Sequence, residues 1–308
     1  MCIKERNASD STCKKLLRDK GCFADLCNYA FFQGRQVIQP EELVSRENDL
    51  STLIGKVDKP TEIKRYRDVV RKASIHGEYV IIGVEHQSTF DEKMIFRILN
   101  YDATIYINQV ESKQEVYPVG SFVFYTGDKE WKSPETLKET LKNIPPEMEP
   151  CINDWRLPVV ELKTMDARKL TNQRLKEVVE ISQSMFAGNY DGLRNNRKIE
   201  TESFMMAATF TRTKIKREDL PEGDEINMCE AMDRLFQRFE NQGIEKGKII
   251  GFEKGKSDTL KEQLKVKLGT LSRPLEKQLT NTSLEKLNEL TLNIFNVTNE
   301  EDVLKIIN

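Results

Sequence analysis

The residues of this chain best suited to do chemistry are Asp68, Glu85 and Gln87, which stand in the stretch RYRDVVRKASIHGEYVIIGVEHQ. An apolar, β-branched run from residue 79 to 84 reads as a strand buried on both faces, and it ends on the carboxylate of Glu85. Desolvating that carboxylate costs on the order of several kcal/mol unless a cation, a metal or a set of hydrogen-bond donors compensates the charge. Side chains alternate along a strand, so Glu85 and Gln87 face one side of the sheet and His86 the other. Asp68 precedes Glu85 by 17 residues, with His76-Gly77 between them as a turn signal, a separation that suits a hairpin bringing the two acids side by side. Two carboxylates that close repel unless a proton or a cation lies between them. A divalent ion would answer that need, since Mg²⁺ takes hard oxygen ligands and fills its remaining positions with water. On spacing alone a second reading stays open, in which Glu85 is an ordinary strand-end acid paired with an arginine or lysine.

The elements that must position these residues follow from periodicity. Residues 1–12 are polar and read as loose chain. The segment KKLLRDKGCFADLCNYAFF is interrupted at Gly21 and predicts a helix over residues 23–32, ended by Gly34. Residues 33–60 read as a surface crossing with short elements. Residues 64–73 and 78–87 are expected as neighbouring antiparallel strands. Ser88 or Thr89, followed three residues later by Asp91 or Glu92, forms a capping-box pattern that should open a helix reaching about Gln114. Its apolar stripe of Met94, Ile95, Ile98, Leu99 and Ile105 would pack on the sheet. YPVGSFVFYTGDKEW predicts a further strand closed by Gly127, SPETLKETLKNI an exposed helix entry, and WRLPVVEL the last strand. This order defines an α/β fold with a mixed sheet flanked by helices, followed by a helical C-terminal region. The expected division is 13–165 for the α/β domain and 166–308 for the helices.

Bulk properties narrow the function classes. A net charge of -2 over 308 residues excludes a globally basic nucleic-acid coat, so any nucleic-acid contact must come from a local patch. The six cysteines contain no CxxC pair and there are only two histidines, which argues against a structural zinc. No signal-peptide core and no apolar run of membrane-spanning length occurs, so a soluble, cytoplasmic protein with reduced thiols and no membrane partner is expected. In the helical region Gly243, Gly247, Gly251 and Gly255 recur every fourth residue and form a bare stripe. Such a stripe costs roughly 3–4 kcal/mol of helix propensity relative to alanine. It reads either as a flexible linker helix or as a surface for close pairing in a homo-oligomer. Residues 244–277 carry nine Lys or Arg against five Asp or Glu, which reads as a solvated face or as a weak attraction for phosphate.

An Asp, then Glu-x-Gln on the adjacent strand, then a helix, is the shape of the PD-(D/E)XK nuclease core. The longer stretch RYRDVVRKASIHGEYVIIGVEHQSTFDEKMIFRILNYD resembles the bacterial Rpn/YhgA-like recombination-promoting nuclease and transposase family. CFADLCNYAFFQGRQVIQPEEL, YPVGSFVFYTGDKEW and the glycine-repeat helix look like further parts of the same family's chain, with residues 20–165 resembling it most closely. The resemblance implies a metal-dependent endonuclease that hydrolyses phosphodiester bonds of DNA in recombination or transposition. It implies Asp68 and Glu85 as ligands of a divalent ion, Mg²⁺ first with Ca²⁺ or Mn²⁺ as alternatives, and Gln87 in the place of the superfamily's lysine. It also places Arg97 and Tyr101 on the helix next to the site, where a spacing of four puts both on one face. Arg97 would pair with a phosphate or with Glu85; a plain salt bridge for Arg97 and core packing for Tyr101 are the alternatives. Lys72 and Lys93 are candidates for a nearby base, with exposed surface lysines as the other reading, and Asp25 is either an outer-shell acid or a helix-surface aspartate. The expected partners are DNA and a second copy of the chain through the C-terminal helices. The alternative function is a catalytically degenerate nuclease fold that binds DNA or a protein partner.

Overall fold

The computed structural model describes residues 3–44, 69–113 and 115–307. The expected elements of residues 45–60 and the beginning of the expected first strand, residues 64–68, lie outside the described residues, and Asp68 lies outside them too.

His76 and Gly77 have φ values of 52° and 87°, the left-handed pair that a two-residue hairpin turn requires. The turn fixes the register of strand β1 (Val69–Ile75) against β2 (Glu78–Gln87), with Ile75 facing Glu78 and Val69 facing Val84. β2 then pairs in parallel with β3 (Val119–Tyr125), and β3 in parallel with β4 (Val159–Glu161), so the sheet order is β1-β2-β3-β4. Parallel neighbours need a crossover, and helix α3 (Met94–Glu111) supplies it. β2 is buried continuously from Ile81 to Gln87, whereas Tyr79, at the start of the apolar run expected to be buried, is 42% exposed and Val80 is half-buried.

On one face of the sheet, Met94, Ile95, Ile98 and Tyr101 of α3 pack with Val123, Tyr125, Trp131 and Leu157. The helix begins later than its expected cap. Asp91, not Ser88 or Thr89, serves the entry by accepting the Lys93 backbone N–H at 3.0 Å. The other face is covered by α1 (Ile3–Arg18) and α2 (Lys20–Phe32), with Leu16, Leu17, Phe23 and Leu26 set against Ile82, Val84, Phe122 and Phe124. The N-terminal residues expected to be loose are therefore largely helical, because Ser9, Cys13, Leu16 and Leu17 recur at helical spacing and are buried. α2 starts at Lys20 instead of residue 23 because Asp19 caps it, accepting the Cys22 N–H at 2.8 Å. After α2, Gly34 has φ 89° and lies so close to Lys169 that an added Cβ would come within 2.8 Å of the lysine Cβ, so only glycine fits this crossing.

The region 134–142 forms a single helical turn, α4 (Leu137–Thr140), shorter than its sequence suggests. The expected break after residue 165 falls inside a compact unit that continues to Asp233. The reason is packing: Leu175, Val178 and Val179 of α5 (Gln173–Phe186) and Met206 and Phe210 of α6 (Thr201–Phe210) belong to the same core as the sheet. WRLPVVEL is also not the last strand, since β5 (Lys198–Glu200) and β6 (Glu225–Asn227) form a separate antiparallel pair. Asp25, one reading of which was a helix-surface residue, is buried on α2; its carboxylate accepts the backbone N–H groups of Thr171 and Asn172, both at 2.8 Å, at the entry to α5.

The second unit spans Arg234–Asn308 and is helical, as expected. It contains most of α7 (Met228–Leu268), then α8 (Arg273–Thr280), α9 (Leu284–Asn293) and α10 (Glu300–Ile307). Leu260, Leu264, Leu275, Leu279, Leu287, Leu290 and Val303 form its core. The four-residue glycine repeat lies on α7, and a Cβ added at Gly243, Gly247, Gly251 or Gly255 would meet nothing within 4 Å. Among the described residues no helix is long and apolar enough to cross a membrane. The described cysteines, Cys13, Cys22, Cys27, Cys151 and Cys229, form no disulfide with one another, and burial pushes the thiols of Cys22 and Cys27 well up from their ordinary value.

Candidate active site

Glu85 occupies the carboxyl end of β2 and is 5% exposed. Alternation along the strand sends it and Gln87 to the α3 side, and the Gln87 amide nitrogen donates to Glu85 Oε1 at 3.1 Å. The charge is met by Arg97 of α3, which donates through Nη2 to the same Oε1 at 2.9 Å. The second arm of the guanidinium, Nη1, donates to Asp91 Oδ2 at 3.0 Å. Arg97 thus bridges two carboxylates and is half-buried between them. Burial pulls its pKa down, but the Tyr101 hydroxyl, Glu85 and Asp91 together outweigh that and hold it above the ordinary arginine value. Tyr101, one helical turn beyond Arg97, contributes to this clasp and also lies in the apolar cluster beneath α3.

Two further side chains extend the site across the sheet. The register sets Gln87 beside Tyr125 and Tyr125 beside Glu161, so the three lie in a row over the carboxyl ends of three parallel strands. Burial, with the nearby charges of Asp128 and Glu161, pushes the Tyr125 hydroxyl up from its ordinary value. Glu161 also accepts the Trp131 backbone N–H at 3.2 Å.

On the opposite face His86 fixes the same strand end from behind. Its Nδ1 lies 2.9 Å from Asp10 Oδ1 of α1, and its Nε2 lies 2.8 Å from Thr126 Oγ1, just after β3. The backbone N–H of Thr126 donates to the Gln87 carbonyl at 2.8 Å, and Arg212 Nη2 donates to the Ser88 carbonyl at 2.8 Å. The residues around Glu85 are therefore held by α1, α3, β3 and the segment after α6.

Of the residues singled out by sequence, Glu85, Gln87, Arg97 and Tyr101 are brought together. Lys72 is not: it faces Ile81, four residues before Glu85 on β2, or about 13 Å along the strand. Its ammonium lies over two rings, 4.0 Å from the centre of Tyr79 and 3.8 Å from that of Tyr117. Lys93 is exposed at the start of α3, and Asp25 is committed to the backbone at the entry to α5. Asp91, Glu161 and His86 were not foreseen as site residues. Glu161 carried a usable signal, since VVE repeats the pattern of a β-branched run ending on glutamate that marks Glu85.

No group of three His, Cys, Asp or Glu side chains that could hold a metal ion occurs among the described residues. In kind, the oxygens of Glu85, Asp91 and the Gln87 amide suit a hard divalent cation, and the two carboxylates already share a cationic partner in Arg97.

A mixed α/β sheet with a Glu-x-Gln pair at the carboxyl end of an interior strand, clasped by an arginine of the next helix, defines the class of this domain. Residues 61–209 match the family described as "Putative transposase, YhgA-like". The match starts later than residues 20–165, the part that resembles the family most closely, and runs on through α5 and most of α6, within the first compact unit. No curated protein and no solved structure matches the chain.

Proposed function

We propose that this chain is a metal-dependent endonuclease that hydrolyses phosphodiester bonds of DNA in recombination or transposition-like processing. The observation that supports it most is the buried Glu85 at the carboxyl end of an interior parallel strand, with Gln87 on the same face and Arg97 reaching in from α3. Crevices at the carboxyl ends of parallel strands are where α/β sheets commonly bind ligands. Asp68 is the neighbour in sequence of Val69, whose partner across the hairpin is Val84, the neighbour of Glu85. Asp68 and Glu85 would hold the divalent ion, with Mg²⁺ the best match to an all-oxygen set. Once bound, such an ion would polarise the scissile phosphate and make a bound water acidic enough to attack.

The chain's own groups divide the remaining work. Gln87 carries no charge and takes up no proton near neutral pH, so it orients a water or a ligand through its amide. Arg97, fixed by Glu85 and Asp91, presents a guanidinium to phosphate charge. Tyr101 steadies that guanidinium. Self-association through the C-terminal helices would provide a pair of sites for the two strands of a duplex; the bare glycine stripe and the exposed Phe239, Ile250 and Phe252 of α7 favour it.

One observation favours a second reading. Arg97 already neutralises Glu85, as expected of a nuclease fold retained for binding DNA or a partner without turnover. Plasmid cleavage separates the two. Purified wild type, Asp68→Ala and Glu85→Ala are incubated with supercoiled plasmid in EDTA, Mg²⁺, Ca²⁺ or Mn²⁺. The nuclease reading expects metal-dependent nicking that each substitution lowers by about a hundredfold or more. A wild type inert with every ion, yet still bound to the plasmid, establishes the binding module instead.

A further inference from the structure

The first exposed stretch of α7 differs chemically from the rest of the helix. Arg234, Gln237, Arg238, Asn241, Gln242 and Glu245 follow at steps of three and four residues along one face, and together they line a shallow open cavity. Five of them are exposed and Arg238 is half-buried. Three carry amides, with a donor and an acceptor side by side, and two carry guanidiniums. These are the groups whose geometry matches the major-groove edges of adenine and guanine and the phosphate oxygens beside them. A helix is about 10–12 Å across with its side chains, which suits a B-DNA major groove about 12 Å wide.

Charge points the same way. From Arg234 to Leu268, α7 carries nine Lys or Arg and five Asp or Glu, within a chain whose net charge is -2. The excess falls on residues 246–268, with seven Lys against three Asp or Glu, whereas residues 234–245 carry two Arg and two Glu; the basic turns that follow the face supply the local attraction for phosphate. Cations alone would serve an acidic protein partner, whereas the row of amides beside them adds the paired donors and acceptors that base edges present.

We infer that this face of α7 reads duplex DNA through its major groove. Gln237, Asn241 and Gln242 meet base edges, Arg234 and Arg238 hold phosphates, and Glu245 offers an acceptor to a cytosine amino group. The inference rests on DNA being the substrate, and it adds a surface that chooses where on the duplex the protein sits. A-form RNA is excluded by its deep, narrow major groove, which side chains cannot read.

The test is fluorescence anisotropy of the full chain in EDTA, so that nothing is cut, using a labelled duplex DNA pool of random sequence over a range of salt. Arg234→Ala/Arg238→Ala should bind about tenfold more weakly and lower the slope of log affinity against log salt by about two. Gln237→Ala/Asn241→Ala/Gln242→Ala should bind the random pool within about twofold of wild type but lose the sequence preference that wild type shows on selection from that pool. Far-UV circular dichroism confirms that both variants keep their helix. The inference is overturned if wild type does not bind the duplex, if both variants behave as wild type, or if an RNA duplex competes as well as DNA. Its failure is separable from that of the nuclease reading. Unchanged affinities alongside Glu85-dependent nicking remove this surface and leave the nuclease, whereas variant-sensitive binding without any nicking does the reverse.

Discussion

Glu85 poses its problem at the level of a single side chain: an interior strand has carried a carboxylate out of water, and something must meet its charge. Arg97 does so at 2.9 Å, with Gln87 adding a donor at 3.1 Å. Because Arg97 titrates above the ordinary arginine value, the stabilisation it gains is fully present at every pH below that value and fades only as pH rises beyond it. It is therefore undiminished at neutral pH. Arg97→Ala should destabilise the protein by about 2 kcal/mol in urea titration at neutral pH, less than for a fully buried pair because the arginine is part-exposed. Glu85→Gln/Arg97→Ala should recover part of that loss; no recovery would show that Arg97 acts on stability through other contacts. Alternation along the strand made the shared face of Glu85 and Gln87 legible in the sequence. The partners of His86 were not, since Asp10 and Thr126 lie 76 and 40 residues away and no local pattern announces them.

At the scale of elements, α7 shows what a periodic sequence leaves undecided. The repeat of Gly243, Gly247, Gly251 and Gly255 fits both a flexible helix and a pairing surface, and in a single chain an added Cβ at each would meet open space. If the stripe stays bare in solution, Gly247→Ala/Gly251→Ala should raise helix stability by about 1–2 kcal/mol, seen as a higher midpoint in thermal denaturation followed at 222 nm. If a second copy covers it, the added methyls hold the helices apart, and sedimentation should show a weaker dimer with no gain in midpoint. Capping at the other end of the second unit depends on contact between elements. Glu300 of α10 accepts the backbone N–H and the hydroxyl of Ser272, the residue that caps α8, at 2.6 and 2.7 Å. Those two bonds hold its carboxyl below its ordinary value.

At the scale of the whole molecule, two units each enclose a core of their own. The chain's two tryptophans, Trp131 and Trp155, both belong to the first unit. In a urea titration, tryptophan fluorescence should therefore report the first unit alone, while far-UV circular dichroism, which also sees α7 to α10, should show a transition that fluorescence lacks. Coincident curves from both probes would mean that the two cores unfold as one.

The sequence by itself determined the local facts: the His76-Gly77 turn, the two strands it joins, the common face of Glu85 and Gln87, and the helical stripe of α3. Each follows from backbone sterics and a period of two or about 3.6 residues, which neighbours in the chain suffice to express. Tertiary structure decided which charges meet and where the first unit ends. Arg97 chooses Glu85 and Asp91 because a helix lands on a particular strand end, and Asp25 binds the entry to α5 across 146 residues. α5 and α6 belong with the sheet because their apolar faces are buried on it. A long-range pairing depends on shape and desolvation in three dimensions, and composition and spacing along one strand of sequence do not carry that information.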